Sequence, residues 1–381
     1  MSYRILLIFP GPEYNIKKEK IEALSERFVG TVVTSSPRRE LCETVKVSAF
    51  DYCCFKLTYK NRFFSNLKYM LLILNFCMKE RFKDSKYDLV VTYDPLKTGV
   101  FGAICSSILK CKFAPEVNGV YHSPAEYLDG PTISTQIKKV AYPLIQQWVL
   151  NRADGIKTLF PEQVHGIVSA ENTIIHSFPN HVEIDRFLSL PLDVSSHVIL
   201  FVGFPFRRKG VDILIEAFKV VYPKFQDWEL VILGWYPDRE LLEKHINSHS
   251  NIKYCPPVEY SEMPEVLSRC SIFVMPSRSE AMGRALVESM AAGKARIGSQ
   301  VDGIPYVIDN GTDGLLFENG NASSLAVQLE RLMSDEALRN KLAVNSRKRA
   351  VGFFTKEQYF NNIERFYKKV IERDLSRNTR K

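Results

Sequence analysis

The sequence predicts an α/β protein of two doubly wound, Rossmann-like domains. Short apolar runs alternate with amphipathic helical stretches along most of the chain, which is the pattern of parallel sheets covered by helices on both faces. A strand that ends in a glycine-containing turn and leads into a helix opens each half, once from Ile5 and again from Val198. The 381 residues also exceed the roughly 100–200 residues of one domain, so two cores are expected.

Composition narrows the function classes. With 45% hydrophobic and 25% charged residues the chain reads as globular. A formal net charge of +8 suits an anionic ligand, although no nucleic-acid reader motif accompanies it. The eight cysteines follow no zinc or iron–sulfur spacing, and the adjacent Cys53 and Cys54 read as reduced thiols. The opening apolar run is too short for a signal peptide, so no export is expected. The apolar run from Tyr69 to Met78 is broken by Asn75 and falls short of the roughly 20 residues that span a bilayer.

In the first half, Ile5–Phe9 reads as a buried strand ending at Pro10-Gly11-Pro12, followed by a helix with Ile21, Leu24 and Phe28 on one face. Gly11 is either a turn that leaves room for a ligand or a purely structural one. Further strands are expected at Thr31–Thr34, Asp88–Thr92, Phe113–Val117, Gly155–Leu159 and Thr173–Ser177, with helices over 63–82, 97–109, 134–151 and 161–169. The stretch from Phe55 to Lys83 interleaves Lys and Arg with Phe, Tyr and Leu. It reads first as an amphipathic helix covering the sheet, and second as an interfacial patch for anionic lipid. Glu116, Asn118, Gly119 and His122 follow the Phe113–Val117 strand, at the carboxyl edge where open α/β sheets bind ligands.

The second half begins near Leu190-Pro191, where Pro and Ser precede the strand Val198–Val202. That strand runs into Gly203, then Arg207, Arg208, Lys209 and Gly210, ahead of an amphipathic helix; clustered cations at a strand end suit a diphosphate. A strand at Glu229–Leu233 and a helix near Arg239–His245 follow. Tyr254–Val258 is either an edge for a base or a loop stiffened by proline. Helices near 323–333, 335–350 and 356–373 lead to a basic tail.

The most informative stretch runs from Phe273 to Phe317. An apolar strand stops at Pro276-Ser277, a polar loop reaches Gly283, and an apolar-periodic helix from Ala285 ends at Gly293. A helix N-terminus behind such a loop suits an anion, because its first amides have no internal partner. Glu280 lies in the loop and Glu288 about one and a half turns into the helix, so the two address different parts of a ligand.

Glu280 and Glu288, followed by Gly293 and DGIPYVIDNGTDGLLF, resemble the donor motif of retaining glycosyltransferases of family 4, which adopt the GT-B fold. HSFPNHVEIDRF is similar to the segment that opens the family's second domain, with His181 and Glu183 in place of Gly and Asp. The resemblance implies an acceptor-binding domain over residues 1–190 and a donor-binding domain over 191–355, facing across a cleft. It also implies a last helix, within 356–381, that returns to the first domain. It implies transfer of a hexose-type residue from a nucleotide-diphosphate sugar to a saccharide or lipid-linked acceptor, with no metal and no cofactor beyond the donor substrate. The expected setting is bacterial surface polysaccharide or glycolipid synthesis, in the cytoplasm or at the inner face of the membrane. A nonenzymatic nucleotide-sugar binder and a sugar-nucleotide 2-epimerase are the alternatives, and nucleic acid is not an expected partner.

By the same resemblance Glu288 binds the ribose, Glu280 holds the sugar or steadies the reacting centre, and Lys209 binds the diphosphate. The backbone of Ala281, Met282 and Gly283 assists, with Gly203 at the turn and Gly11 on the acceptor side. The family's usual arginine after Gly203 is Phe204 here, so Arg207 or Arg208 is expected to supply that cation. The family's histidine near the transferred sugar corresponds either to Asn118 or to His122. Ala281 replaces a usual glycine in the donor loop.

Overall fold

The structure is a computed structural model that describes residues 2–10, 14–36, 44–57, 62–130, 133–169, 173–237, 239–246 and 249–374. The chain divides into two compact units. Unit 1 comprises residues 1–121, 140–178 and 360–381, and unit 2 comprises residues 122–139 and 179–359. The expected boundary at Leu190 therefore falls earlier, between Phe178 and Pro179, and residues 122–139 group with the second unit. Among the described residues no helix is long and apolar enough to cross a membrane.

Unit 1 runs β1 (Arg4–Ile8), α1 (Tyr14–Ser25), β2 (Val29–Ser36), β3 (Thr44–Val47), β4 (Phe50–Lys56), α2 (Arg62–Arg81), β5 (Leu89–Thr92), α3 (Lys97–Leu109) and β6 (Lys112–Pro115). Then come α4 (Ile133–Leu150), β7 (Gly155–Thr158) and β8 (Ile174–Ser177). The sheet has the order β3-β4-β2-β1-β5-β6, and all its pairings are parallel except β3 with β4. A bridge between Glu116 and Lys157 links it to the parallel pair β7-β8. The β3–β4 hairpin lies outside the strand–helix alternation, which is why that pattern misses it. The helix expected over 161–169 is only a 3₁₀ turn at Pro161–Val164, because Gly166 takes a φ of 73° and the chain turns away.

Strands that step in one direction with right-handed crossovers put their helices on one face. Accordingly Tyr69, Ile73 and Cys77 of α2 share a core with Phe101 and Cys105 of α3, Val149 and Leu150 of α4, and Leu6, Ile8 and Phe113 of the sheet. The opposite face carries α1 and the last helix, α13 (Lys356–Ile371). Phe28 meets Tyr367 edge-on at 5.8 Å, and Arg27 pairs with Glu364.

Unit 2 runs α5 (Asp185–Leu188), β9 (Val198–Val202), α6 (Val211–Val221), β10 (Glu229–Leu233), α7 (Arg239–Ile246), β11 (Ile252–Cys255), α8 (Met263–Ser268) and β12 (Ile272–Met275). It continues with α9 (Arg284–Ala291), β13 (Ala295–Ser299), α10 (Ile304–Val307), β14 (Leu315–Phe317), α11 (Ala322–Ser334) and α12 (Glu336–Phe353). Its sheet is wholly parallel in the order β11-β10-β9-β12-β13-β14. β9 and β12 are continuously apolar because both faces are covered, and β13 breaks the pattern with Arg296, which is buried and paired with Asp313. One core holds Ile199, Phe201 and Val274 beneath α6 and α11; the other holds Leu200, Phe273 and Met275 beneath α8 and α9.

From β9 the chain steps outward through β10 to β11, then returns to the other side of β9 at β12. The loops after β9 and β12 therefore diverge from adjacent strand ends and leave a crevice, where open α/β sheets place their ligands. One glycine seats the first loop on the second. Gly210 has a φ of 70°, and a Cβ there would lie 1.9 Å from the carbonyl oxygen of Pro276. Gly210→Ala is expected to cost about 2 kcal/mol or more, from backbone strain and this clash. Urea unfolding checks it, and an unchanged midpoint contradicts it.

Candidate active site

Two loops from the switch point of unit 2 meet at one ion pair. Lys209, in the turn after β9, bonds through Nζ to Oε2 of Glu280 in the loop after β12, and both side chains are largely buried. Burial alone would raise the Glu280 carboxyl, but the Lys209 ammonium, Arg208 and the Gly283 amide outweigh it and hold the pKa below the usual range. Glu280 is thus a buried carboxylate that is charged because its partners hold it so.

The Glu280 loop is fixed from behind. Oδ2 of Asp302 accepts from Ser279 Oγ at 2.7 Å and from the Glu280 amide at 3.1 Å, while the Gly303 amide donates to Glu280 O at 3.0 Å. Asp302 takes a φ of 45°, and burial raises its pKa. Gly283, with a φ of 77°, stands just before α9. Its amide serves the Glu280 carboxylate, so the helix entrance already holds an anion supplied by its own loop.

Beside this pair opens a cavity of about 440 Å³, within the roughly 300–1,000 Å³ usual for small-molecule sites. Gly203, Phe204, Lys209, Trp235, Arg284 and Glu288 are among its walls. Phe204 and Trp235 form an aromatic rim with centroids 4.9 Å apart. Glu288 is 3% exposed, and its Oε1 accepts from Tyr260 Oη at 2.9 Å and from Arg284 Nε at 3.0 Å. Burial raises the Glu288 carboxyl, while Arg284 and Tyr260 oppose the rise. The Arg284 guanidinium stacks 4.4 Å over the Tyr260 ring. The cavity thus offers an aromatic rim, a carboxylate poised by two donors, and two cations, an arrangement suited to a base, a pair of vicinal hydroxyls and a diphosphate.

The structure assembles part of the expected site. Lys209, Gly203 and Glu288 line the cavity, and Glu280 adjoins it through Lys209. Met282 packs against the core at the start of α9, with Ala281 beside it at intermediate exposure. Pro257 and Val258 reach the cavity, but Tyr254 instead bonds to Gly234 O and packs on Tyr236.

Arg207 and Arg208 are placed elsewhere. The guanidinium of Arg208 faces Glu126 at 3.4 Å, and the amides of Arg207 and Arg208 both donate to the carboxylate of Asp129 at 2.7 Å. Neither lines the cavity, whose second cation is Arg284. That residue was legible in principle, since it stands four positions before Glu288 and so on the same helix face. Trp235, just past the end of β10, carried the same kind of signal, whereas Tyr260 carried none. Asn118 belongs to unit 1, where its Nδ2 donates to Tyr93 O at 2.6 Å. His122 groups with unit 2, is exposed, and is near enough to Asp302 to lower its pKa. Gly11 lies outside the described residues. Among those residues no group of His, Cys, Asp and Glu is placed to hold a metal ion.

Residues 185–349 match the family model "Glycosyl transferases group 1". Residues 185–349 thus resemble a glycosyl transferases group 1 domain. Over 150 residues it is 33% identical to an uncharacterized glycosyltransferase of Methanocaldococcus jannaschii, spanning 39% of this chain and 41% of that one. It is 25% identical over 179 residues to the capsular polysaccharide biosynthesis glycosyltransferase CapM of Staphylococcus aureus, covering 46% and 47% of the two chains. The match thus spans less than half the length of these curated relatives. The crystal structure of Anabaena HepE in complex with UDP superposes with a TM-score of 0.70 at 17% identity, over 95% of this chain and 98% of that one. At that identity the likeness shows the fold, which is GT-B. The group 1 match encloses both loops of the Lys209–Glu280 pair and the whole lining of the cavity.

The pair makes a prediction about pH. In the native chain Glu280 stabilises the fold at neutral pH and loses that contribution as pH falls through its depressed value. Lys209→Gln removes the largest influence opposing burial, so the Glu280 carboxyl is expected to titrate higher than in the native chain. The variant is then expected to lose about 3–5 kcal/mol at neutral pH, with the deficit shrinking as pH falls into the acid range. Urea unfolding across that range measures it; a deficit independent of pH contradicts it.

Proposed function

We propose that the chain transfers a hexose-type residue from a nucleoside-diphosphate sugar to an acceptor hydroxyl, with retention of anomeric configuration and without a metal. The observation that carries this is the Lys209–Glu280 pair on the wall of a nucleotide-sized cavity at the switch point of the group 1 domain. The bond between the anomeric carbon and the diphosphate oxygen breaks with its electron pair on the diphosphate. The acceptor oxygen forms the new bond and gives up its proton to an oxygen of the departing diphosphate. The demanding part is the charge that grows on the departing diphosphate, which preorganised cations stabilise without reorganising at the moment of reaction.

Lys209 and Arg284 fill that role from the cavity walls, where a low dielectric strengthens them. Once the donor diphosphate draws Lys209 away, the Glu280 carboxylate is free to accept from the sugar hydroxyls. Glu288, with Oε1 already held by Tyr260 and Arg284, has Oε2 to accept from the ribose. The aromatic rim of Phe204 and Trp235 suits a base. His122 is assigned to the reacting sugar on account of its place beside Asp302. The UDP held by HepE supports the nucleoside diphosphate, and CapM, named for capsular polysaccharide biosynthesis, supports an acceptor in surface polysaccharide synthesis. The placement proposed with it is cytoplasmic, at the inner face of the membrane.

Calorimetric titration with UDP, GDP and the parent nucleosides tests the assignments. Arg284→Gln is expected to weaken the preferred nucleoside diphosphate by about 1.5–3 kcal/mol while leaving the nucleoside little changed, because a charge-assisted bond to phosphate is lost. Glu288→Gln is expected to weaken diphosphate and nucleoside alike. Arg207→Gln is expected to change neither. Equal losses in Arg207→Gln and Arg284→Gln would contradict the cation assignment, and no binding of any nucleotide by the native chain would contradict the donor site itself.

A further inference from the structure

On unit 1, α2 has two unlike faces. Tyr69, Ile73 and Cys77 point into the core, while Phe64, Leu67, Leu71 and Met78 are 40–56% exposed. These four recur at spacings of three, four and seven residues, which sets them on one line down the helix. The two sequence readings of this segment, a cover for the sheet and an apolar patch, thus describe opposite sides of the same helix.

α4 repeats the arrangement. Val140, Leu144 and Trp148 form an exposed line on the part of α4 that belongs to unit 1. The 18 residues of α4 include no acidic side chain. Since α2, α3 and α4 lie on one face of the unit 1 sheet, with α3 largely buried, both lines point away from the sheet on the same side of the unit.

Charge selects what this side meets. Lys79 and Arg81 accompany the line on α2, and Arg152, just past α4, stacks at 4.0 Å over Trp148. The only acid in α2, Glu80, is buried and paired with Lys83. A second copy of this face would set like charges against one another, with no carboxylate on α2 or α4 but the buried Glu80 to answer them. A surface of anionic headgroups over acyl chains answers both the cations and the apolar lines, and helices of this kind lie in the interface without crossing it.

We propose that the outer faces of α2 and α4 dock unit 1 onto a bilayer that contains anionic phospholipid. The proposal gives a surface to the membrane placement under the transferase reading, yet its test needs no sugar transfer, so either can fail alone. The experiment is flotation of the native chain with vesicles of phosphatidylcholine and phosphatidylglycerol in a 7:3 ratio, against pure phosphatidylcholine, at low and high salt. The native chain is expected to float with the anionic vesicles, and less so at high salt.

Leu71→Gln/Leu144→Gln and Lys79→Gln/Arg152→Gln, each exposed and outside the donor cavity, are expected to lower the floating fraction roughly ten-fold while keeping the native melting temperature and nucleotide binding. If the leucine pair fails to fold, the Lys79/Arg152 pair carries the test alone. Equal flotation with both vesicle types, flotation unchanged in the folded variants, or none by the native chain would overturn the proposal. So would a native dimer in sedimentation that Leu71→Gln/Leu144→Gln converts to monomer, since the face would then belong to a second copy.

Discussion

The site in unit 2 depends on one buried contact between opposite charges. Taking a carboxylate and an ammonium out of water costs several kcal/mol for each, which their attraction repays only when geometry and further hydrogen bonds are good. Lys209 and Glu280 meet that condition through the Gly283 amide, the nearby Arg208 and the Asp302 brace behind the loop. Such a pair adds little net stability, but it is costly to break without a replacement. A ligand that brings its own anion to Lys209 and its own hydroxyls to Glu280 supplies that replacement, so a donor would separate the two groups that hold each other.

The fold makes this contact inevitable. Adjacent parallel strands at a switch point send their loops apart, and Gly210 lets the first loop rest on the backbone of the second at Pro276. A similar economy appears at residues 122–130, which group with unit 2 and present Glu126 and Asp129 to the turn after β9. That turn carries three consecutive cations, and their neighbours have divided them. Arg208 faces Glu126, the amides of Arg207 and Arg208 are tied to Asp129, and Lys209 alone reaches the cavity.

Much of this was legible in the sequence, and the reasons are physical. Continuous apolar runs at β9 and β12 mark strands buried on both faces, and the helical periods of α2, α3, α11 and α12 are long enough to fix their type. Lys209 stood out as a cation beside glycine just past a strand end, and Glu280 and Glu288 through the donor motif that their spacing and neighbours resemble. What escaped was whatever depends on contacts between distant segments. Nothing local says that Asp129 will claim the Arg207 and Arg208 amides, that Tyr260 will bond Glu288 from another loop, or that β3 will fold back on β4. Arg284 lay between these cases: its spacing to Glu288 was visible, and its use in the cavity was not.

The most direct test is a crystal structure of the chain soaked with the nucleoside-diphosphate sugar it binds best. The account predicts a diphosphate oxygen within about 3 Å of Lys209 Nζ, the Lys209–Glu280 contact opened, and Glu280 turned to a sugar hydroxyl, with the ribose on Glu288. A donor bound in the cavity with Lys209 still on Glu280 and its diphosphate held by Arg207 would contradict it.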